Sequence, residues 1–153
     1  MRAMLSELPT LILREVNTRV ENDFITFCKD VGVVLTEVKG TTKNNNVNKA
    51  DEQLINIENF IQAIWLVIAG PSISLPIVKQ IIVPHETTPS PMDKTDSGCH
   101  IIYGDRFDVF HEVWNDTTTE LKGIASVIDP DHFQKLVELF AGIWCMKPVL
   151  NVS

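Results

Sequence analysis

Residues 22–40 carry the clearest two-residue period in the chain. Asn22-Asp23-Phe24-Ile25-Thr26-Phe27-Cys28-Lys29 is aromatic and β-branched and predicts a strand. Val31-Gly32-Val33-Val34-Leu35-Thr36-Glu37-Val38-Lys39-Gly40 predicts a second, interior strand that ends in two opposite charges and a glycine. Asp30 and Gly32 supply turn chemistry between them. A three-residue loop over 30–32 pairs Lys29 with Val33, so that Ile25 faces Glu37 and Asp23 faces Lys39. Asp23, Ile25 and Phe27 then share a face with Val33, Leu35, Glu37 and Lys39. The apolar members fall together and the three charges gather at the open end of the hairpin. A slip of one residue would throw this set onto opposite faces.

Longer periods mark the rest of the chain. A short helix over 1–15 carries Met4, Leu5, Leu11 and Ile12 on one side, and a strand over about 15–20 follows it by position. Polar residues 41–48 form a loop. A helix over 49–69 is amphipathic in its first half, with Leu54, Ile57 and Ile61 in phase, and apolar all round from Ile61 to Ala69; Gly70-Pro71 stops it. Residues 77–83 form a strand, 84–98 a proline-bearing loop and 100–103 a short strand. Asp105 can cap a helix over 105–116 with Phe107, Phe110 and Trp114 on one side. Asp129-Pro130 opens a helix over 130–146 whose stripe is Phe133, Leu136, Val137, Phe140 and Trp144. The expected fold is α/β, a mixed central β-sheet flanked by helices, in a single domain spanning 1–153.

Composition narrows the partners more than the fold. A formal net charge of −7 argues against a surface made for broad electrostatic wrapping of nucleic acid, though not against a local cleft. Three cysteines, Cys28, Cys99 and Cys145, are too widely spaced for paired metal ligation and point to a reducing, intracellular setting. No basic leader with an apolar segment opens the chain, and the longest apolar run, Ile61 to Ala69, is far short of a membrane span. Sequons at Asn115 and Asn151 would matter only in a secreted protein. His85-Glu86 and His111-Glu112 lack the second histidine of a zinc-protease helix and read as surface pairs. The seven glycines never cluster into a phosphate loop.

Against that background the strand end stands out. Phosphodiester hydrolysis needs charge neutralisation at phosphorus and an activated water, which divalent cations supply. Mg²⁺ or Mn²⁺ takes carboxylates together with water and phosphate oxygens. Asp23 and Glu37, brought together by the hairpin, meet that demand, and the backbone carbonyl of Val38 is a further candidate ligand. Lys39 on the same face can orient the water and offset developing negative charge. Lys43, in the following loop, is a candidate phosphate contact.

Glu21-Asn22-Asp23-Phe24, followed at fourteen residues by Glu37-Val38-Lys39-Gly40, resembles the core of the PD-(D/E)XK nuclease superfamily. It is most similar there to the nuclease-related domain and to Holliday-junction-resolvase-like and restriction-endonuclease-like proteins. The resemblance covers about residues 15–83 and implies a restriction-endonuclease-like α-β-β-β-α-β core, the helix and strand order predicted above. It implies metal ligation by Asp23 and Glu37 and a catalytic lysine at Lys39. Ala50-Asp51-Glu52-Gln53 matches the A-x-x-Q pattern of the family's next helix and so adds Gln53 as a supporting polar residue. A glutamate of the first helix helps in many members, with Glu7 the candidate here. Two departures stand: Asn22 replaces the proline that names the motif, and the 84–98 loop is long for a compact member.

The expected activity is therefore metal-dependent cleavage of DNA, with RNA a second candidate, using Mg²⁺ or Mn²⁺. Repulsion between an acidic protein and its substrate favours a homo-oligomer or a subunit of a larger assembly. The alternative is a catalytically inactive nucleic-acid-binding or protein-assembly module on the same fold.

Overall fold

A computed structural model of the protein describes residues 23–152, apart from 30, 44, 88–94, 96, 107–109 and 126. The predicted helix at 1–15 and strand at 15–20, with Glu7, lie outside the described residues. Among the described residues, four strands form one sheet: β1 (Phe24–Cys28), β2 (Gly32–Val38), β3 (Ile77–Val83) and β4 (His100–Tyr103), in that spatial order. β1 runs antiparallel to β2, while β2, β3 and β4 are parallel. The architecture is thus α/β with a mixed sheet. The helices are α1 (Asn46–Ala69), α2 (Phe110–Ala125) and α3 (Pro130–Val152), and α1 makes the crossover that parallel pairing of β2 and β3 requires. Among the described residues, no helix is long and apolar enough to cross a membrane.

Both faces of β2 are covered, as its near-continuous apolar run demands. Val33 and Leu35 join Ile81, Val83 and Tyr103 in a core with α1 and α3. Val34 packs on the other side with Val31 and Val78, against Trp114 and Leu121 of α2. On the first face Phe140 of α3 meets Phe27 of β1 and Phe60 of α1, with ring centroids 5.5 and 6.0 Å apart. Such tilted contacts add roughly 0.5–1.5 kcal/mol each beyond burial. Lys79 of β3 pairs with Glu58 of α1 at 3.3 Å, and buried Gln80 donates to Thr36 across the parallel ladder at 2.9 Å.

Several boundaries differ from the sequence expectation. The hairpin pairs Cys28 with Gly32 and Phe27 with Val33, rather than Lys29 with Val33 as a loop over 30–32 would require. Asp23 consequently lies opposite Glu37 rather than Lys39, and Ile25 opposite Leu35 rather than Glu37. The difference is two residues, so every side chain keeps its predicted face. Gly32 belongs to the strand for a steric reason: its φ is +114°, and an added Cβ would lie 2.3 Å from the Pro76 carbonyl oxygen.

The first described helix begins at Asn46, three residues before the predicted start. Asn45 takes a left-handed conformation (φ 61°), which asparagine tolerates, and its carbonyl accepts the Lys49 N–H at 2.9 Å. Asp105 does not cap a helix. It lies in a 3₁₀ turn, Gly104–Arg106, formed where the Gly104 N–H bonds to the Glu86 carbonyl at 2.9 Å, and α2 starts only at Phe110. α2 then continues through a threonine-rich stretch of low helix propensity. There the Thr118 and Thr119 hydroxyls turn back onto the carbonyls of Trp114 and Asn115. α3 runs to Val152, past Pro148, which removes one backbone donor without ending the helix.

Other expected ends are found where the sequence puts them. The Gly70 N–H closes α1 on the Leu66 carbonyl at 3.0 Å, with φ +76°. Asp129 accepts the Asp131 N–H at 2.8 Å and so caps α3. Asp129→Ala should lower unfolding free energy by about 1 kcal/mol. Urea denaturation with an unchanged slope would show it.

Candidate functional site

The site grows from the place where β1 begins and β2 ends. Beyond the last pair, Phe24 with Thr36, the register sets Asp23 opposite Glu37. The Asp23 N–H donates to Glu37 Oε1 at 3.2 Å, and Asp23 Oδ2 accepts the Val38 N–H at 2.8 Å. The two carboxylates are therefore tied to each other's strands. Their surroundings differ: Glu37 is 2% exposed, whereas Asp23 is open to solvent. A buried carboxylate is costly unless it is bonded or paired, and Lys39 supplies part of the compensation. Its Nζ lies 3.7 Å from Glu37 Oε2 and donates to Gln53 Oε1 at 3.3 Å.

Lys39 thus links the end of β2 to the second turn of α1. Its N–H bonds sideways to the Ile82 carbonyl at 2.9 Å, which anchors the residue to β3. Val38 points its N–H to the other side, toward Asp23. Since N–H and C=O of one residue leave a strand on the same side, the Val38 carbonyl also faces the Asp23 edge. Asp23, Glu37, Val38, Lys39 and Gln53 are brought together as a set. Lys43 is exposed, and among the described residues no hydrogen bond or ion pair of its side chain joins it to that set. Gly40, which completes the E-V-K-G run, has open space around a built Cβ. No steric reason requires glycine there.

The donor set suits a hard, oxygen-seeking cation: two carboxylates on adjacent strands and a backbone carbonyl beside them. Among the described residues, no cluster of three or more His, Cys, Asp or Glu side chains could hold a metal. Mg²⁺ characteristically takes one or two carboxylates and fills its other positions with water and phosphate oxygens. Two carboxylates and a carbonyl match that demand. Cys99 is not a competing centre. Burial, with the charge of Asp51 next in importance, pushes its thiol up to about 12, so it packs as a small apolar residue.

One functional-looking residue was not apparent from the sequence. Glu86, read there as half of a surface His-Glu pair, accepts hydrogen bonds from Thr41 Oγ1 at 2.7 Å, the Thr42 N–H at 2.7 Å and Thr42 Oγ1 at 2.6 Å. The Thr42 hydroxyl, then that of Thr41, holds its carboxyl below the ordinary glutamate value of 4.5. Because the folded value is the lower one, the stabilisation is complete above pH 4.5 and is lost as pH falls through the folded value. The Thr42 amide resonance should therefore titrate with a midpoint below 4.5; a midpoint at or above it would contradict this assignment.

No family model, curated protein or solved structure matches the chain.

Proposed function

We propose that the protein is a metal-dependent phosphodiester hydrolase of the PD-(D/E)XK type, acting on DNA, with RNA as a second candidate substrate. The observation that carries this reading is the pairing of Asp23 with Glu37 across β1 and β2, together with Lys39 between Glu37 and Gln53. The strand order is a further support. A hairpin whose second strand feeds a crossover helix and a parallel strand is what the later part of a restriction-endonuclease-like core would require.

In this mechanism Asp23, Glu37 and the Val38 carbonyl would hold Mg²⁺ or Mn²⁺. When bound, the ion supplies charge neutralisation at the phosphate and lowers the pKa of a water. Lys39 donates a hydrogen bond to the attacking water, or to the phosphate oxygen that gains charge, and so stabilises the transition state. The water oxygen forms the new bond to phosphorus and releases one proton to solvent, the ester P–O bond breaks, and the leaving oxygen takes up a proton from solvent. Gln53 accepts from Lys39 and restricts the ammonium to that position.

Calorimetric titration with Mn²⁺, paired with a cleavage assay on single-stranded, duplex and branched DNA and on RNA, tests this reading. Wild-type protein should bind Mn²⁺ and cut at least one substrate, and Glu37→Ala should lose both properties. Binding that Glu37→Ala leaves untouched, with no cleavage of any substrate, would favour a non-catalytic binding or assembly module on the same fold.

A further inference from the structure

The strap between β2 and α1, described at residues 39–43 and 45, carries Lys39 at its start and leads into the helix that presents Gln53. No strand partner exists for it among the described residues beyond the Lys39 N–H bond to Ile82. Its conformation is fixed elsewhere. Thr41 and Thr42 direct two hydroxyls and one N–H at the single carboxylate of Glu86, all within 2.7 Å. Thr41 is held from the other side as well: its carbonyl accepts from Asn46 Nδ2 at 3.1 Å, and its hydroxyl accepts the Lys43 N–H at 3.1 Å.

Glu86 is itself anchored at both ends of its backbone. Its N–H bonds to the Val83 carbonyl at 3.3 Å, closing the turn after β3. Its carbonyl receives the Gly104 N–H, where close approach of Gly104 to Pro84 leaves no room for a Cβ. One side chain thus joins the exit of β2, the exit of β3 and, through the backbone, the exit of β4. These are the strand ends beside which Glu37 and Lys39 sit. A network of this kind, in which one carboxylate takes three donors, is stiffer than separate bonds.

We propose that Glu86 is a positioning residue for the candidate site: its clamp on Thr41 and Thr42 fixes the strap and thereby holds Lys39 against Glu37 and Gln53. The activity arm of this proposal rests on the nuclease reading; the structural arm does not. Lys39 is only two residues from Thr41, so release of the strap frees the backbone on one side of the lysine while the Ile82 bond restrains the other. Small misplacements of this sort are expensive in rate, with an ångström costing on the order of a hundredfold.

Four proteins test it: wild type, Glu86→Ala, Thr42→Ala and, as an exposed control far along the sequence, Glu112→Ala. Side-chain resonances of Lys39 (the ¹³Cε) and Gln53 (the amide protons) are recorded alongside amide exchange of Thr42 and of β2. In Glu86→Ala, Thr42 should lose protection and the Lys39 and Gln53 signals should move toward their free-peptide values, while β2 amides stay protected. Thr42→Ala, which keeps the N–H bond, should give a smaller shift in the same direction, and Glu112→Ala none. On cleaved substrate, Glu86→Ala should lower kcat on the order of tenfold to a hundredfold with KM changed less than about twofold. Unmoved Lys39 and Gln53 signals despite an exposed Thr42 amide would overturn the proposal whether or not the protein cuts. If wild type does not cut but those signals move as expected, the nuclease reading fails and the positioning role stands.

Discussion

Lys39→Ala is expected to lower kcat for metal-dependent phosphodiester cleavage about 10³-fold, within the range seen when a positioned proton-transfer or charge-stabilising group is removed. The expectation follows from where its ammonium sits: 3.7 Å from Glu37 and 3.3 Å from Gln53, and only 24% exposed. The fold should lose little. At 3.7 Å the ion pair is longer than a hydrogen bond, and partial exposure screens it, so its removal costs about 1 kcal/mol or less. For a chain of this size that is a fall of roughly 2–4 °C in Tm. A variant that cuts as fast as wild type would remove Lys39 from the mechanism altogether.

The largest stability effect is expected at Gly32. Alanine there must adopt φ +114° and place its Cβ against the Pro76 carbonyl, whose oxygen also accepts the Val33 N–H at 3.0 Å. Strain of this kind, with a backbone that has to move, should lower stability by about 3 kcal/mol, or roughly 10 °C in Tm. Gly40→Ala is the internal comparison. Nothing lies within 4 Å of a Cβ built on Gly40, and its φ is not in the left-handed region. Its stability should change by less than about 0.5 kcal/mol. Equal losses at the two glycines, measured by thermal denaturation, would contradict the steric account of Gly32.

The contrast between these glycines bears on how much of the molecule can be read from its sequence. Side-chain parity along β1 and β2 was legible because burial enforces it: Ile25, Phe27, Val33 and Leu35 must face one core. Register was not, since a two-residue difference preserves parity and only the approach of Pro76 to Gly32, 44 positions on, distinguishes the two hairpins. The predicted face therefore placed Asp23, Glu37 and Lys39 together, while the wrong register gave Asp23 the wrong partner. Helix termini followed the same division. Asp129 and Gly70 act through neighbours in sequence and were visible there. The start of α2 depends on Gly104 meeting Glu86 and Pro84, and was hidden. Glu86 shows the limit most clearly. Its partners lie 44 and 45 residues away, and nothing local to His85-Glu86 distinguishes a clamp from a solvated pair.

Mixed pairing around β2 also gives the site an order of assembly. Asp23 and Glu37 are 14 residues apart and meet through a hairpin, which closes on a timescale of roughly microseconds. Thr36 and Gln80 are 44 apart, and their parallel pairing has to wait until α1 has formed and the chain has closed a much longer loop. The two carboxylates can therefore be neighbours in a nascent hairpin before the core that buries one of them exists.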